Sequence, residues 1–118
     1  MLGIALLGMK PEELKGHLDG LILAVVAGEP LHGYAVIEAL KSRSGGALAL
    51  PEGTVYPALH RLEADGLLSS QWSKASGRRR RVYSITRRGE KELGASRERR
   101  RLFSTTIRAV LLGETAIG

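Results

Sequence analysis

The sequence predicts a mainly α-helical fold carrying one small antiparallel β hairpin, and three observations carry that expectation. Leu14, Leu18, Leu21, Ile22, Val25 and Val26 recur at helical spacing. Residues 53–66 have a hydroxyl-bearing start, apolar residues at helical spacing and a terminal glycine, the pattern of a short helix with a polar outer face. Two strand-like segments follow, with Arg78, Arg79, Arg80 and Arg81 at the tip between them. This order of parts is that of a winged helix-turn-helix with a long C-terminal dimerisation helix. In such a fold one helix enters the DNA major groove and a basic hairpin grips the adjacent backbone.

The elements follow in order. Pro11, Glu12 and Glu13 suit a helix start, proline at its first position and acids at the positive end of its dipole. Gly28 and Pro30 stop that helix. A second helix is expected over about 31–42, with Leu31, Tyr34, Ile37 and Leu40 on one face, and Ser44, Gly45 and Gly46 form a loop. The third helix spans 52–65. Val55, Leu59 and Leu62 face the core, Gly66 supplies a left-handed cap, and Pro57 falls in the first turn or just past it.

Strands are expected at 67–72 and 81–86, joined by a turn at 74–77. Arg81, Tyr83 and Ile85 alternate with Val82, Ser84 and Thr86, so the hairpin's two faces differ. Thr86 is placed to cap a last helix over about 87–112. Leu93, Phe103, Ile107, Val110 and Leu111 mark a partial apolar stripe along it. So small a domain cannot bury such a helix along its full length, so the apolar end is expected to meet another chain. The organisation is an apolar extension at 1–11, a winged-helix unit at 12–86 and the dimerisation helix at 87–118.

At 118 residues, 43% of them hydrophobic, the chain is one domain with a small core. It has no cysteine, which excludes disulfides and thiolate metal sites. Residues 2–9 are apolar but too short to span a bilayer and lack a basic leader, so a cytoplasmic protein away from membranes is expected. The net charge of +6 is uneven. Residues 1–60 carry four basic and six acidic side chains, whereas residues 61–118 carry fourteen and six. A polyanion should therefore meet the second half.

His17, His32 and His60 lack metal-ligand spacing, and no Ser-His-Asp arrangement or glycine-rich phosphate loop occurs. No metal, cofactor or enzymatic activity is expected. Thr54, Tyr56, Pro57, His60 and Arg61 are the candidates to address the major groove. Arg78, Arg79 and Arg80 are expected on phosphates or in the minor groove, with Tyr34, Lys74 and Arg81 beside them. His32, Gly33 and Tyr34 read as a helix start at which glycine permits close approach. Arg97, Arg99, Arg100 and Arg101 read as a solvated helix face. Leu14, Leu18 and Ile22 of the first helix are expected to pair with Leu93, Phe103, Ile107, Val110 and Leu111 of a partner across a two-fold axis. Trp72 and Phe103 are the candidate contacts of a small-molecule effector.

The chain resembles the PadR family of bacterial transcriptional regulators over about 19–93. The matching pieces are Leu31-His32-Gly33-Tyr34, then the ungapped run from Gly53-Thr54-Val55-Tyr56-Pro57 through Asp65-Gly66-Leu67, then Arg79-Arg80-Arg81-Val82-Tyr83-Ser84-Ile85-Thr86-Arg87-Arg88-Gly89. The resemblance implies a winged-helix homodimer, and pairing across a two-fold axis predicts an inverted-repeat operator in double-stranded DNA. It implies 53–66 as recognition helix, 67–86 as wing, and in most members repression, in some relieved by a small molecule. The apolar segment at 1–11 departs from a family that often begins almost directly with its first core helix. The alternative from another class is a winged helix that binds RNA or serves as a protein-interaction module.

Overall fold

The apolar spacing of the first segment becomes helix α1 (Leu18–Gly28) in the computed structural model, which describes residue 14 and residues 16–74 and 77–115. The expected helix start at Pro11, the extension at 1–11 and the middle of the hairpin turn lie outside the described residues. A turn at Gly16 and His17 separates Leu14 from α1, with the His17 N–H donating to the Leu14 carbonyl at 2.8 Å.

Leu31–His32 form a two-residue strand, β1, and not the first turn of the second helix. Their backbone groups pair with a later strand, Leu31 opposite Tyr83 and His32 opposite Val82. Helix α2 (Gly33–Arg43) therefore begins two residues later than its apolar pattern suggests, capped by the His32 ring. Its buried face is Gly33, Val36, Ile37 and Leu40. Tyr34 is not part of that face and remains 55% exposed.

Helix α3 (Glu52–Ala64) ends as the sequence suggests. Gly66 sits at φ +79°, where a side chain would be strained, its N–H reaches Glu63 at 3.0 Å, and the Leu67 N–H reaches Leu62 at 2.9 Å. Pro57 is the sixth residue of α3, in its second turn. Strands β2 (Leu68–Ser73) and β3 (Arg80–Ile85) form the hairpin, and β3 is central in a three-stranded antiparallel sheet ordered β1-β3-β2. Helix α4 (Arg87–Leu112) follows, its N-terminus capped by Thr86, whose hydroxyl accepts from the Gly89 N–H at 2.9 Å and donates to the Gly66 carbonyl at 2.7 Å. One hydroxyl thus ties the end of α3 to the start of α4.

The core collects Ile22, Leu23 and Val26 from α1, Val36 and Leu40 from α2, and Val55, Leu59 and Leu62 from α3. Leu68 and Tyr83 close it from the sheet, and Leu93 from α4. This corrects part of the expected dimer surface. Leu18, Ile22 and Leu93 are 7%, 0% and 4% exposed in their own chain, and Leu14 packs partly against the same core. The physical reason is that α1 lies against the first half of α4 within one chain, Gly20 facing Ser96. Beyond that contact α4 runs on, about 39 Å long in all. Phe103, Val110 and Leu111 are mostly exposed there, as are Leu102 and Leu112, with Ile107 at 38%. Among the described residues no helix is long and apolar enough to cross a membrane.

Gly89 seats α4 on the sheet. A Cβ there would fall on the Leu67 carbonyl oxygen and against Ile85. Gly89→Ala is therefore expected to lower stability by about 1–3 kcal/mol, the usual cost of overpacking a tight site. An unchanged urea midpoint would show that α4 seats otherwise.

Candidate nucleic-acid interface

The buried face of α3, with Val55, Ala58, Leu59 and Leu62, leaves Thr54, Tyr56, Pro57 and His60 toward the outside. Helical periodicity dictates this split, because the core residues follow one another at three and four positions. Tyr56 is half-buried, its ring lying over Gly33 of α2 so closely that a Cβ at Gly33 would overlap the ring. The glycine that the sequence marks for close approach therefore serves the tyrosine of α3.

Beside α3 stands the β2–β3 wing, and the two enclose an open cleft of about 540 Å³. Tyr34, Tyr56, His60, Trp72 and Arg78 to Arg81 line it together with His32, Gly33 and Tyr83, and no carboxylate is among them. The structure thus brings Tyr34, Tyr56, His60 and the four wing arginines together in one cleft. Thr54, Pro57 and Lys74 lie outside this cleft lining.

Arg61 does not join them. Its guanidinium is hydrogen-bonded to the Asp19 carboxylate of α1, one position further round α3 than His60. That pairing turns its guanidinium toward α1, outside the cleft lining. The effector pair is also divided: Trp72 lines the cleft, whereas Phe103 belongs to the exposed stripe of α4.

The four arginines differ in their partners, and Arg80 and Arg81 of β3 point to opposite sides by strand alternation. Arg81 Nε donates to the Ser70 hydroxyl at 2.7 Å, and its Nη2 lies 3.6 Å from Glu63 of α3. Ser70 in turn donates to Glu63 at 2.7 Å. Arg81 therefore ties the β2–β3 hairpin to α3. Arg79 lies over the Trp72 ring, its Cζ 4.4 Å from the centroid, and the Arg81 Cζ is 5.3 Å from it. Arg80 points to the opposite side, its Nη1 2.9 Å from His32 Nε2. Arg78 is exposed. Glu63 and Ser70 are the residues that sequence reasoning missed, and for His32 it gave the helix start but not the contact with Arg80. The signal for Ser70 lies in cross-strand register, Ser70 opposite Tyr83 and Trp72 opposite Arg81, which no sequence pattern gives. Burial first, and then Glu63, push the Tyr83 hydroxyl above its ordinary range.

His32 carries two contacts that one neutral ring cannot fully serve. Its Nδ1 accepts the Ala35 N–H at 3.3 Å, and its Nε2 faces Arg80. A neutral imidazole has one acceptor nitrogen, and a protonated one has none. Burial first, and the Arg80 charge second, hold its pKa below the usual value. A histidine lowered in the folded state contributes fully above its unfolded pKa, about 6.5, and that contribution is lost as pH falls toward the lowered value. His32→Asn keeps a cap acceptor and does not titrate. The stability lost between about pH 7 and about pH 5 should therefore be smaller in His32→Asn than in the wild type. Equal losses in urea unfolding at the two pH values would show that His32 does not report acid.

A buried three-helix core, an outward helix and an arginine-bearing hairpin around one basic cleft define the winged-helix class of DNA-binding transcriptional regulators. The model of the "Transcriptional regulator PadR-like family" matches residues 22–95. The chain belongs to this PadR-like family, whose members are regulators and not enzymes. It is 43% identical over 94 residues to the transcriptional regulator Rv3488 of Mycobacterium tuberculosis, covering 80% of this chain and 82% of that protein. A PadR-like transcriptional regulator from Bacillus cereus superposes with a TM-score of 0.77 at 32% identity, over 87% of this chain and 99% of that one. A PadR-like transcription factor from Bacteroides fragilis gives 0.72 at 32% identity, over 84% and 94%.

Proposed function

We propose that this regulator is a cytoplasmic homodimeric repressor that reads an inverted-repeat operator in double-stranded DNA. Helix α3 enters the major groove and the β2–β3 wing rests on the adjacent backbone. The observation that carries this reading is the cleft in which the outer face of α3 and four arginines meet with no carboxylate in the lining. Phosphates would satisfy that surface, because each neutralised phosphate also releases a counterion. Tyr56 and His60 project beside it and are the base-reading candidates.

For control by a small molecule, the groove between α1 and α4 is a candidate alongside the surroundings of Trp72. It measures about 360 Å³ and offers Leu21, Ala24 and Leu93 as apolar lining, with Arg97 and Arg100 at its side. That volume lies within the ordinary range of ligand sites.

Specificity supplies the test. On duplexes selected from a random pool by the wild-type protein, Tyr56→Ala should lose about 1–3 kcal/mol of preference for the selected site over random sequence. Lys74→Ala should weaken both alike. Arg61→Ala should keep the preference, since its guanidinium serves Asp19. A Tyr56→Ala protein with the full selected-to-random ratio would remove α3 from base reading.

A further inference from the structure

Trp72 is 55% exposed, the only tryptophan of the chain, and its ring is met by two arginines, Arg79 and Arg81. It follows Leu68 and Ser70 on the face of β2 that turns toward α3, and it stands opposite Arg81 in the hairpin register. A continuous set of contacts results. Glu63 on α3 accepts from Ser70, Ser70 accepts from Arg81, the Arg81 guanidinium lies against the indole, and Arg79 covers the indole at 4.4 Å. The Arg79 side chain is thereby placed in relation to α3 through four intervening side chains.

We infer that Trp72 is a positioning residue of the DNA interface, a ring platform that holds Arg79 in the pose in which it meets a backbone phosphate. The inference rests on the wing reading above. The physics is that of preorganisation. An arginine free in solvent surrenders rotamer freedom when a phosphate clamps it, and one already laid on an aromatic face has surrendered much of it beforehand. The ring also favours the guanidinium electrostatically and leaves its edge N–H groups available for phosphate oxygens. The strut from Glu63 through Ser70 and Arg81 sets how far this prepared cation stands from the recognition helix. A large exposed indole on a DNA-binding wing is otherwise without a structural reason, because the core does not need it.

The test is a mutant cycle of Trp72→Leu and Arg79→Gln, read as affinity for a wild-type-selected duplex across a salt series. Trp72→Leu should weaken binding about two- to fivefold, the worth of an exposed cation–π contact, and leave the salt slope unchanged. Arg79→Gln should flatten the slope by about 0.9 per phosphate lost. In the Arg79→Gln background, Trp72→Leu should have no further effect, and Trp72→Phe should restore part of the affinity in the wild-type background. Independent, additive losses would overturn the platform while leaving the wing on DNA. No change of affinity or slope in Arg79→Gln would instead overturn the wing reading itself. Should Trp72→Leu disturb the hairpin, the wild-type protein still decides: Arg79 side-chain protons shifted upfield by the indole ring current support the stack, and unshifted signals overturn it.

Discussion

Replacing Ile107 and Leu111 together with glutamate is expected to produce a folded monomer that binds its operator far more weakly than the wild type. The two positions lie four residues apart on α4, in line with Phe103, on a helix face that is largely exposed among the described residues. Leu111 is 74% exposed and Val110 78%. Two carboxylates on that stripe cost the isolated chain little, because they remain in water. Between two chains they would be desolvated without partners. A dimer that holds two recognition helices converts the second half-site into an intramolecular encounter, so losing the pairing should cost about 10²–10⁴ in apparent affinity. Sedimentation and operator titration read the two effects separately. A wild-type protein that sediments as a monomer at micromolar concentration would contradict the expectation. So would a double variant that remains a dimer. Equivalent changes at Leu18, Ile22 or Leu93 should unfold the chain instead, since these are core residues.

The second large effect is electrostatic. Alanine at Arg78, Arg79 and Arg80 removes the three wing guanidiniums that are not tied to Glu63. With about 0.9 of log–log slope for each neutralised phosphate, three arginines in each of two subunits account for a flattening of about 5. Binding of the triple variant should therefore be much weaker at low salt and nearly insensitive to further salt. The comparison is a titration of one selected duplex over a range of potassium chloride concentrations. A triple variant with the wild-type slope would take the wing off the DNA.

Much of this architecture was legible in the residues, and the parts that were not share a cause. The last helix was readable to its ends because Thr86 caps it and the chain holds no proline beyond that point. The end of α3 was readable because Gly66 alone satisfies its left-handed cap. Strand β1 was not, because two residues show no periodicity and become a strand only when β3 arrives beside them. Tyr34 was assigned to the apolar face of α2, a face whose start shifted once His32 became the cap. At the site, helical spacing separated the outer face of α3 from its core face but did not show that Arg61 has Asp19 within reach. The run of four arginines read as one basic patch. The sheet distributes it among Trp72, His32 and Glu63, partners that lie between seven and 48 positions away along the chain. The expected dimer surface included Leu18, Ile22 and Leu93, which belong to the core of their own chain, for a similar reason. Apolar spacing along α1 and α4 does not say which apolar residues their own chain already covers.

Selection of bound sequences from a random duplex pool, with excess single-stranded RNA present as competitor, tests the central claim most directly. The α3-and-wing interface, doubled by α4, predicts enrichment of an inverted repeat whose half-sites lie about one helical turn apart, roughly 34–36 Å, and predicts that the RNA does not displace it. A pool that stays unenriched, or a protein that the RNA strips from every duplex, would contradict it.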